Sequence, residues 1–295
     1  MPNPLAACTP DSVLEGDRRP DSGAGTGDPS PDPLTERNRA TWTVGDFDRI
    51  ARHMVHGAEQ FIDRLEILPG ERVLDVACGS GNLAVPAARA GAAVTGVDIA
   101  PNLIAGARQR AVAERLSIRF DEGNVEALPY ASASFDTVVT MFGAMFSPRP
   151  ALVVDELIRV TRPGGRIVMA NWTPGGFVGR MLRATGAYLP PPADLPSPLL
   201  WGDQQQVNER LGGRVRRLML TPRMFPFNFP YSPAGVVELF QAFYGPTVRA
   251  FDALGPEERA AFRRDLEALW RDANLASDQV TRVDAEYLEV LAVVR

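Results

Sequence analysis

Alternating strand and helix patterns between residues 72 and 172 predict an α/β fold, a mostly parallel sheet covered by helices on both faces. Two local features sharpen that expectation. The apolar run Val73-Leu74-Asp75-Val76 opens into Ala77-Cys78-Gly79-Ser80-Gly81, a loop of small residues followed by helical periodicity. The next apolar run, Ala93-Val94-Thr95-Gly96-Val97-Asp98, ends in an acid. Small side chains let backbone amides approach a ligand closely, and the helix that follows turns its positive end toward it. A carboxylate at the tip of the neighbouring strand is placed to accept hydrogen bonds from ribose hydroxyls. Together they predict a site for a nucleoside-containing cofactor.

Each element has its own justification. Residues 1–33 are rich in Pro, Gly, Asp and Ser, with few large apolar side chains to offset ordering entropy, which predicts a disordered tail. A helical pattern from Leu34 to Leu68 makes Ile50, Met54, Phe61, Ile62 and Leu65 core candidates, and Pro69-Gly70 ends it. Arg72–Ala77 reads as a strand, Asn82–Ala90 as a helix and Ala93–Asp98 as a strand. Asn102–Arg115 reads as a helix with Pro101 as its first residue. Ser117–Asp121 and Phe135–Thr140 are strands. Pro150–Val160 is helical, and the turn Pro163-Gly164-Gly165 launches the strand Arg166–Asn171.

Beyond residue 172 the pattern is less regular. Gly176–Leu189 reads as an amphipathic helix, followed by a Pro-rich loop through Pro198 and a short helix at Gln204–Leu211. Arg214–Phe229 reads as a strand, Ala234–Tyr244 and Pro256–Ala273 as helices, and Tyr287–Val294 as the final strand. The segment between the last two strands is longer than a hairpin needs and reads as a helical cap over the sheet's ligand edge.

Composition narrows the function. With 295 residues, 45% of them hydrophobic, the chain can bury a full core as one large domain with insertions. A net charge of −5 argues against nucleic acid as a partner, because phosphate binding needs a basic face. Every basic residue is arginine; the absence of lysine excludes a Schiff-base lysine and a P-loop lysine. Cys8 and Cys78 are too few for a disulfide framework or a zinc site, and no metal is expected. No stretch has the length and apolarity of a membrane span, and the start lacks a secretory pattern. No membrane partner is therefore expected, and a reducing cytoplasm is the expected compartment.

A dinucleotide site would read Gly-x-Gly-x-x-Gly directly after its strand, and here the third glycine is missing. The form Asp75-Val76-Ala77-Cys78-Gly79-Ser80-Gly81 instead resembles motif I of the class I S-adenosylmethionine-dependent methyltransferases. The resemblance continues through Asp98, Glu122-Gly123-Asn124-Val125-Glu126-Ala127-Leu128-Pro129 and Phe135-Asp136-Thr137-Val138-Val139. It ends in the Arg159–Arg166 turn, so the ordered set spans about residues 72 to 172. It is nearest to the ubiquinone/menaquinone-type small-molecule branch, which includes bacterial enzymes of specialised metabolism.

That resemblance implies a Rossmann-like fold with a seven-stranded, mostly parallel sheet, an antiparallel last strand and helical cap insertions. It implies an N-terminal helical lid at 34–68, a cofactor-binding core at 69–172 and acceptor-side insertions with the last two strands at 173–295. It also implies that Asp75 and the backbone of Ala77, Gly79 and Gly81 hold the methionine part of S-adenosylmethionine. Asp98 would take the ribose hydroxyls and Ile99 would pack on adenine. Asn124 stands where the family usually has Asp, and an amide oxygen can also accept a bond from the adenine amino group. Val125 would add a backbone contact, and Met141 follows the fourth strand where the family's backbone meets the cofactor's amino group. The stretch Thr41–Arg49 resembles a segment that closes over the cofactor, with Arg49 placed to meet its carboxylate. A solvated helix arginine fits the same pattern.

Methyl transfer from a sulfonium is an in-line displacement that mainly needs alignment, and the sequence offers few bases. His53 and His56, three apart on the N-terminal helix, are the candidate catalytic bases, and ordinary packing or surface histidines fit the same pattern. No Asp/Asn-Pro-Pro-aromatic motif follows the fourth strand, which weakens the case for methylating nucleobase amino groups. Phe142, Met145, Phe146, Trp172, Phe177 and Tyr244 are the candidate acceptor pocket. An apolar, aromatic-rich pocket suits an electron-rich aromatic or hydrophobic metabolite, methylated at carbon or oxygen. The expected partner is thus a small-molecule acceptor; the oligomeric state, a homo-oligomer included, stays open. A nicotinamide-dependent oxidoreductase and a cofactor-binding protein without methyl transfer are the alternatives.

Overall fold

The structure is a computed structural model that describes residues 32–295. The disordered tail expected for residues 1–33 lies almost wholly outside the described residues. Pro33 opens the first helix.

That helix, α1 (Pro33–Thr43), starts because Asp32 accepts a bond from the Thr35 amide at 3.1 Å and Pro33 occupies the first turn. The single helical stretch expected to Leu68 is instead broken. Gly45, with φ +79°, turns the chain into α2 (Asp48–Ala51), a 3₁₀ turn at Arg52–Met54 and α3 (Val55–Asp63). Ile50, Met54, Phe61, Ile62 and Leu65 are all buried, as the periodicity required.

The core then alternates as expected. In order come β1 (Arg72–Val76), α4 (Ala84–Arg89), β2 (Ala93–Asp98), α5 (Pro101–Ala113), β3 (Arg119–Glu122), β4 (Phe135–Met141), α6 (Pro150–Val160) and β5 (Thr161–Trp172). Helix α4 starts two residues later than the sequence suggested. The reason is local: positive φ at Gly79 and Gly81 keeps residues 79–83 in turns, and the Ala84 amide is capped by the Asp75 carboxylate at 2.9 Å. The acceptor side follows with α7 (Phe177–Tyr188), α8 (Gln204–Leu211), β6 (Val215–Phe229), α9 (Pro233–Phe243), α10 (Gly245–Ala253), α11 (Pro256–Asp272) and β7 (Thr281–Val294).

These strands form one seven-stranded sheet in the order β3-β2-β1-β4-β5-β7-β6. Strands β1 to β5 pair in parallel, while β7 runs antiparallel to both β5 and β6. The order reverses between β1 and β4, and their carboxyl ends open the crevice where such sheets bind ligands. Strand β7 is longer than its apolar second half indicated. Val283, Ala285 and Tyr287 are buried while Arg282, Asp284 and Glu286 alternate with them, a period-two pattern that continues the strand backward to Thr281. Helices α9, α10 and α11, inserted between β6 and β7, pack on α7 and against α1 and α2, so the N-terminal helices and the insertion meet.

Opposite the crevice, the sheet's other end is held by ion pairs. Asp136 on β4 accepts from Arg72 on β1 at 2.9–3.1 Å and from Arg162 on β5 at 2.5 Å. Glu71 pairs with Arg166 at 3.1 Å and accepts from the Leu68 amide and the Thr137 hydroxyl.

Candidate functional site

The carboxyl ends of β1, β2 and β4 supply three loops that surround a cleft of about 970 Å³, open to solvent on one side. From the β1 loop come Asp75, Ala77, Gly79 and Ser80; from β2, Asp98 and Ile99; from β4, Met141, Phe142 and Gly143. Asn124 and Val125 reach it from the turn after β3, and Trp42, Phe47 and Met54 close it from the N-terminal helices.

The loop geometry is set by backbone that few side chains tolerate. Ala77 has φ +55° and Phe142 φ +59°, both left-handed and non-glycine, and both line the cleft. Strain of this kind persists where the surroundings over-determine it. Gly143 lets the β4 loop approach the β1 loop closely, because a Cβ there would lie 2.5 Å from the Ala77 Cβ. Gly79 is different: it has φ +52°, and a Cβ built on it meets no atom within 4 Å. The space in front of that glycine is empty protein-side and belongs to the cleft.

Two buried carboxylates define the polar edge. Asp98 accepts the Gly79 amide at 2.8 Å on one oxygen and the Ala100 amide at 2.9 Å on the other. It thus locks the β1 loop against β2, and each oxygen keeps a lone pair for a ligand hydroxyl. Burial pushes its acid strength down, raising its pKa. Asp75 is 1% exposed, and burial, with the nearby Asp98 charge, raises its pKa well above the usual carboxylate value. The Ser80 hydroxyl, buried on the cleft wall, has no hydrogen-bond partner among the described residues. An unmet buried hydroxyl, an open face at Gly79 and a carboxylate at the β2 tip together form a cradle with unspent polar capacity.

Asn124 is partly committed. Its side-chain oxygen accepts the Glu126 amide at 3.0 Å and its amide group donates to the Thr35 hydroxyl of α1 at 3.2 Å. This ties the turn after β3 to the N-terminal helix. The tie is reinforced by Arg149, whose guanidinium bonds both Glu126, at 2.7 Å, and Asp32.

Beside the cleft lies a second, smaller chamber with apolar and aromatic walls. It shares Trp42, Phe47, Met54 and Phe142 with the cleft and adds Phe146, Trp172, Phe240 and Tyr244. Phe142 stacks on Trp172 with ring centroids 3.5 Å apart. Tyr244 is the one titratable residue lining it among the described residues, and burial raises its phenol pKa.

The structure separates the sequence candidates into groups. Asp75, Ala77, Gly79, Asp98, Ile99, Asn124, Val125 and Met141 line the cleft. Gly81 does not; it turns the loop at φ +86° and packs over Phe120 and Ala107. Arg49 also stays outside, paired with Asp46 at 3.4 Å and set over the Phe243 ring. His53 packs against Phe229 and Tyr231, with burial and Arg52 lowering its pKa, and His56 bonds the Gln60 amide at 3.0 Å. Neither histidine lines the cleft or the chamber.

Of the acceptor candidates, Phe142, Phe146, Trp172 and Tyr244 line the chamber. Met145 faces a further groove, and Phe177 is core, packed on Trp270 at 4.5 Å. Ser80, Gly143 and Leu103 line the cleft without having been singled out from sequence. Gly143 carried a usable signal, a glycine directly after a strand-end aromatic.

A family model described as "Methyltransferase domain" matches residues 74–169, the stretch that carries the cleft. An uncharacterized protein of Mycobacterium tuberculosis is 37% identical over 261 residues, covering 88% of this chain and 94% of that protein. A demethylmenaquinone methyltransferase of Deinococcus radiodurans is 40% identical over 116 residues, 38% of this chain and 48% of its own length. The chain belongs to the class I S-adenosylmethionine-dependent methyltransferases.

Solved structures agree on the fold. The Bacillus subtilis YcgJ protein superposes with TM-score 0.52 at 18% identity, covering 81% of this chain and 98% of that one. A phosphoethanolamine N-methyltransferase of Haemonchus contortus, solved with phosphomonomethylethanolamine and S-adenosylhomocysteine, gives 0.51 at 15%, covering 80% and 52%. S-adenosylmethionine is the cofactor of this methyltransferase, and the cradle fits it: donor capacity at Ser80, an open glycine face and an acid for hydroxyls. No helix among the described residues is long and apolar enough to cross a membrane.

Proposed function

We propose that this methyltransferase transfers the methyl group to carbon or oxygen of a small aromatic or hydrophobic metabolite bound in the aromatic chamber. One observation carries the reading: the chamber and the cofactor cleft share four lining residues, Trp42, Phe47, Met54 and Phe142, so the two spaces adjoin. Asp75, Ser80 and the Gly79 face would hold the methionine part, Asp98 the ribose hydroxyls, and Ile99 and Val125 the adenine. The bound cofactor supplies an electrophilic methyl on a sulfonium, whose positive charge disappears in the transfer.

The chain's own contribution is alignment and dryness. Trp42, Phe142, Phe146 and Trp172 present ring faces and edges that can stack a flat acceptor and stabilise a neighbouring cation. Excluding water keeps the acceptor, and not solvent, in line with the methyl group. Among the described residues Tyr244 is the single titratable residue lining the chamber, and burial holds it protonated, so none of them offers the acceptor a strong base at neutral pH. That favours an acceptor that needs none before transfer: a nucleophilic ring carbon, which sheds its proton afterwards, or an already ionised oxygen. The relative named for demethylmenaquinone is consistent with an aromatic acceptor.

The test is incubation of a metabolite extract with deuterated-methyl S-adenosylmethionine and the full chain, read by mass spectrometry. One or more aromatic or hydrophobic species should gain the labelled methyl on carbon or oxygen. Label confined to polar amines would refute the reading.

A further inference from the structure

Beyond the aromatic chamber lies a larger, open groove, which shares Trp42 and Phe146 with the chamber and Asn38, Trp42 and Ser147 with the cofactor cleft. Most of its surface is apolar, including the run Pro190-Pro191-Pro192. Three arginines interrupt that surface, each from a different helix: Arg37 from α1, Arg183 from α7 and Arg249 from α10. Among the described residues no Asp or Glu lines the groove, although acids outnumber arginines 36 to 31 in the whole chain.

The three cations lack counter-charges. None lies within salt-bridge distance of a carboxylate among the described residues, in contrast to Arg72, Arg162 and Arg166 at the other end of the sheet. Arg183 donates to the Pro174 carbonyl at 2.5 Å, an uncharged partner. The Nε of Arg249 is buried with no hydrogen-bond partner among the described residues. A buried donor left unmet, as at the Arg249 Nε, is costly, and with the exposed Arg37 and Arg183 it gives the groove three cations free to meet an anion. The planar guanidinium fork matches carboxylate and phosphate oxygens.

We propose that the acceptor is an amphipathic anion: its aromatic or hydrophobic body fills the chamber and its oxyanion is held in the groove by Arg37, Arg183 and Arg249. This rests on the chamber's being the acceptor site, and it adds a charge requirement that the chamber itself does not impose. Because the groove adjoins the chamber at Trp42 and Phe146, this arrangement leaves the anionic group in the groove and the reacting atom in the chamber beside the cofactor cleft.

The experiment is a fluorescence titration of the full chain, saturated with S-adenosylhomocysteine, with three probes that share one aromatic body. These are 1-pyrenebutyrate, 4-(1-pyrenyl)butyl phosphate and the neutral 1-pyrenebutyramide. At least one anion should bind roughly tenfold or more tightly than the amide, and the advantage should shrink with added salt. The anion with the larger advantage identifies carboxylate or phosphate as the natural group. Arg37→Ala, at an exposed position, and Arg249→Ala should each cut that advantage several-fold while leaving amide binding unchanged. Should Arg249→Ala unfold the chain, Arg37→Ala and Arg183→Ala carry the test. Equal affinity for the amide and both anions, or an anion advantage untouched by these substitutions, overturns the proposal. Failure of S-adenosylhomocysteine to bind the wild-type chain would sink the methyltransferase reading instead, and calorimetry without any pyrene probe measures that separately.

Discussion

Substituting alanine at Gly79 and at Gly143 separates what the cleft holds from what holds the cleft. At Gly79 the added Cβ meets no protein atom within 4 Å, so the protein bears only the left-handed backbone penalty at φ +52°. That penalty is about 1–2 kcal/mol. At Gly143 the backbone angle, φ −99°, suits any residue. There the Cβ would lie 2.5 Å from the Ala77 Cβ and 2.9 Å from the Ala77 carbonyl oxygen. Both obstacles sit on strained backbone that cannot swing aside as a flexible side chain can. Overpacking of this kind costs about 1–3 kcal/mol and more where backbone must move. For a chain of this size each kcal/mol lowers Tm by about 2–4 °C.

Ligand binding reverses the ranking. The Gly79 methyl projects into the volume assigned to the cofactor, so its overlap is with the ligand. An overlap worth about 1.5–3 kcal/mol weakens S-adenosylhomocysteine roughly 10- to 150-fold. Differential scanning calorimetry without ligand and isothermal titration with S-adenosylhomocysteine measure the two quantities. Gly79→Ala should lose more affinity per degree of Tm than Gly143→Ala. A Gly79→Ala protein that binds S-adenosylhomocysteine as tightly as wild type would refute the placement of the cofactor over that glycine.

Three further outcomes follow from the geometry. Asp32→Ala removes one end of the Arg149 bridge between α1 and Glu126, and stopped-flow displacement should show S-adenosylhomocysteine leaving a few-fold faster, a modest effect because the pair is half-exposed. Trp172→Ala should lower turnover of the labelled acceptor with cofactor affinity unchanged, whereas Phe177→Ala, which packs on Trp270, should cost about 3 kcal/mol of stability by denaturant titration. The bonds from Arg72, and with them Arg162, hold the Asp136 carboxyl well below the usual range. Burial would raise Glu71, but bonds from the Leu68 amide, Thr137 and Arg166 hold it below its ordinary value. Groups with depressed folded-state pKa values stabilise fully above the unfolded carboxylate range, about pH 4, and lose that stabilisation as pH falls through the folded values. Tm should therefore fall below about pH 4, and less steeply in Asp136→Asn.

The strand–helix alternation of the core and the cofactor end were legible because the information is local. A strand, its following loop and the tip of the next strand are contiguous in Val73–Asp98, and burial follows directly from their apolar runs. Boundaries slipped where a side chain decided them. The Asp75 cap delays α4, and the period-two half of β7 was masked by its alternating charges. Helix α10 was not foreseen because its nine residues, Gly245–Ala253, follow α9 with only Tyr244 between them; Pro246 in the first turn was the available signal.

The acceptor end resisted for a different reason: its walls come from α1, α2, β5, β6, α7 and α9, segments up to about two hundred residues apart, and one aromatic looks like another until packing is known. Phe142 and Phe177 illustrate the point. Both are buried aromatics near a strand end; one sits at φ +59° on the wall between cofactor and chamber, the other is sealed against Trp270. Sequence distinguishes apolar from polar well, but not which apolar face is left without a protein partner. The histidines fail in the same way, since spacing put them on the right segment and only packing turned His53 toward Phe229. Charge is more informative than apolarity in this respect, because a cation partly withdrawn from water needs a polar or anionic partner. The arginines paired at the base of the sheet have found theirs within the chain, and the three in the groove have found none among the described residues. A groove whose cations lack internal partners constrains its ligand more tightly than any count of aromatic rings.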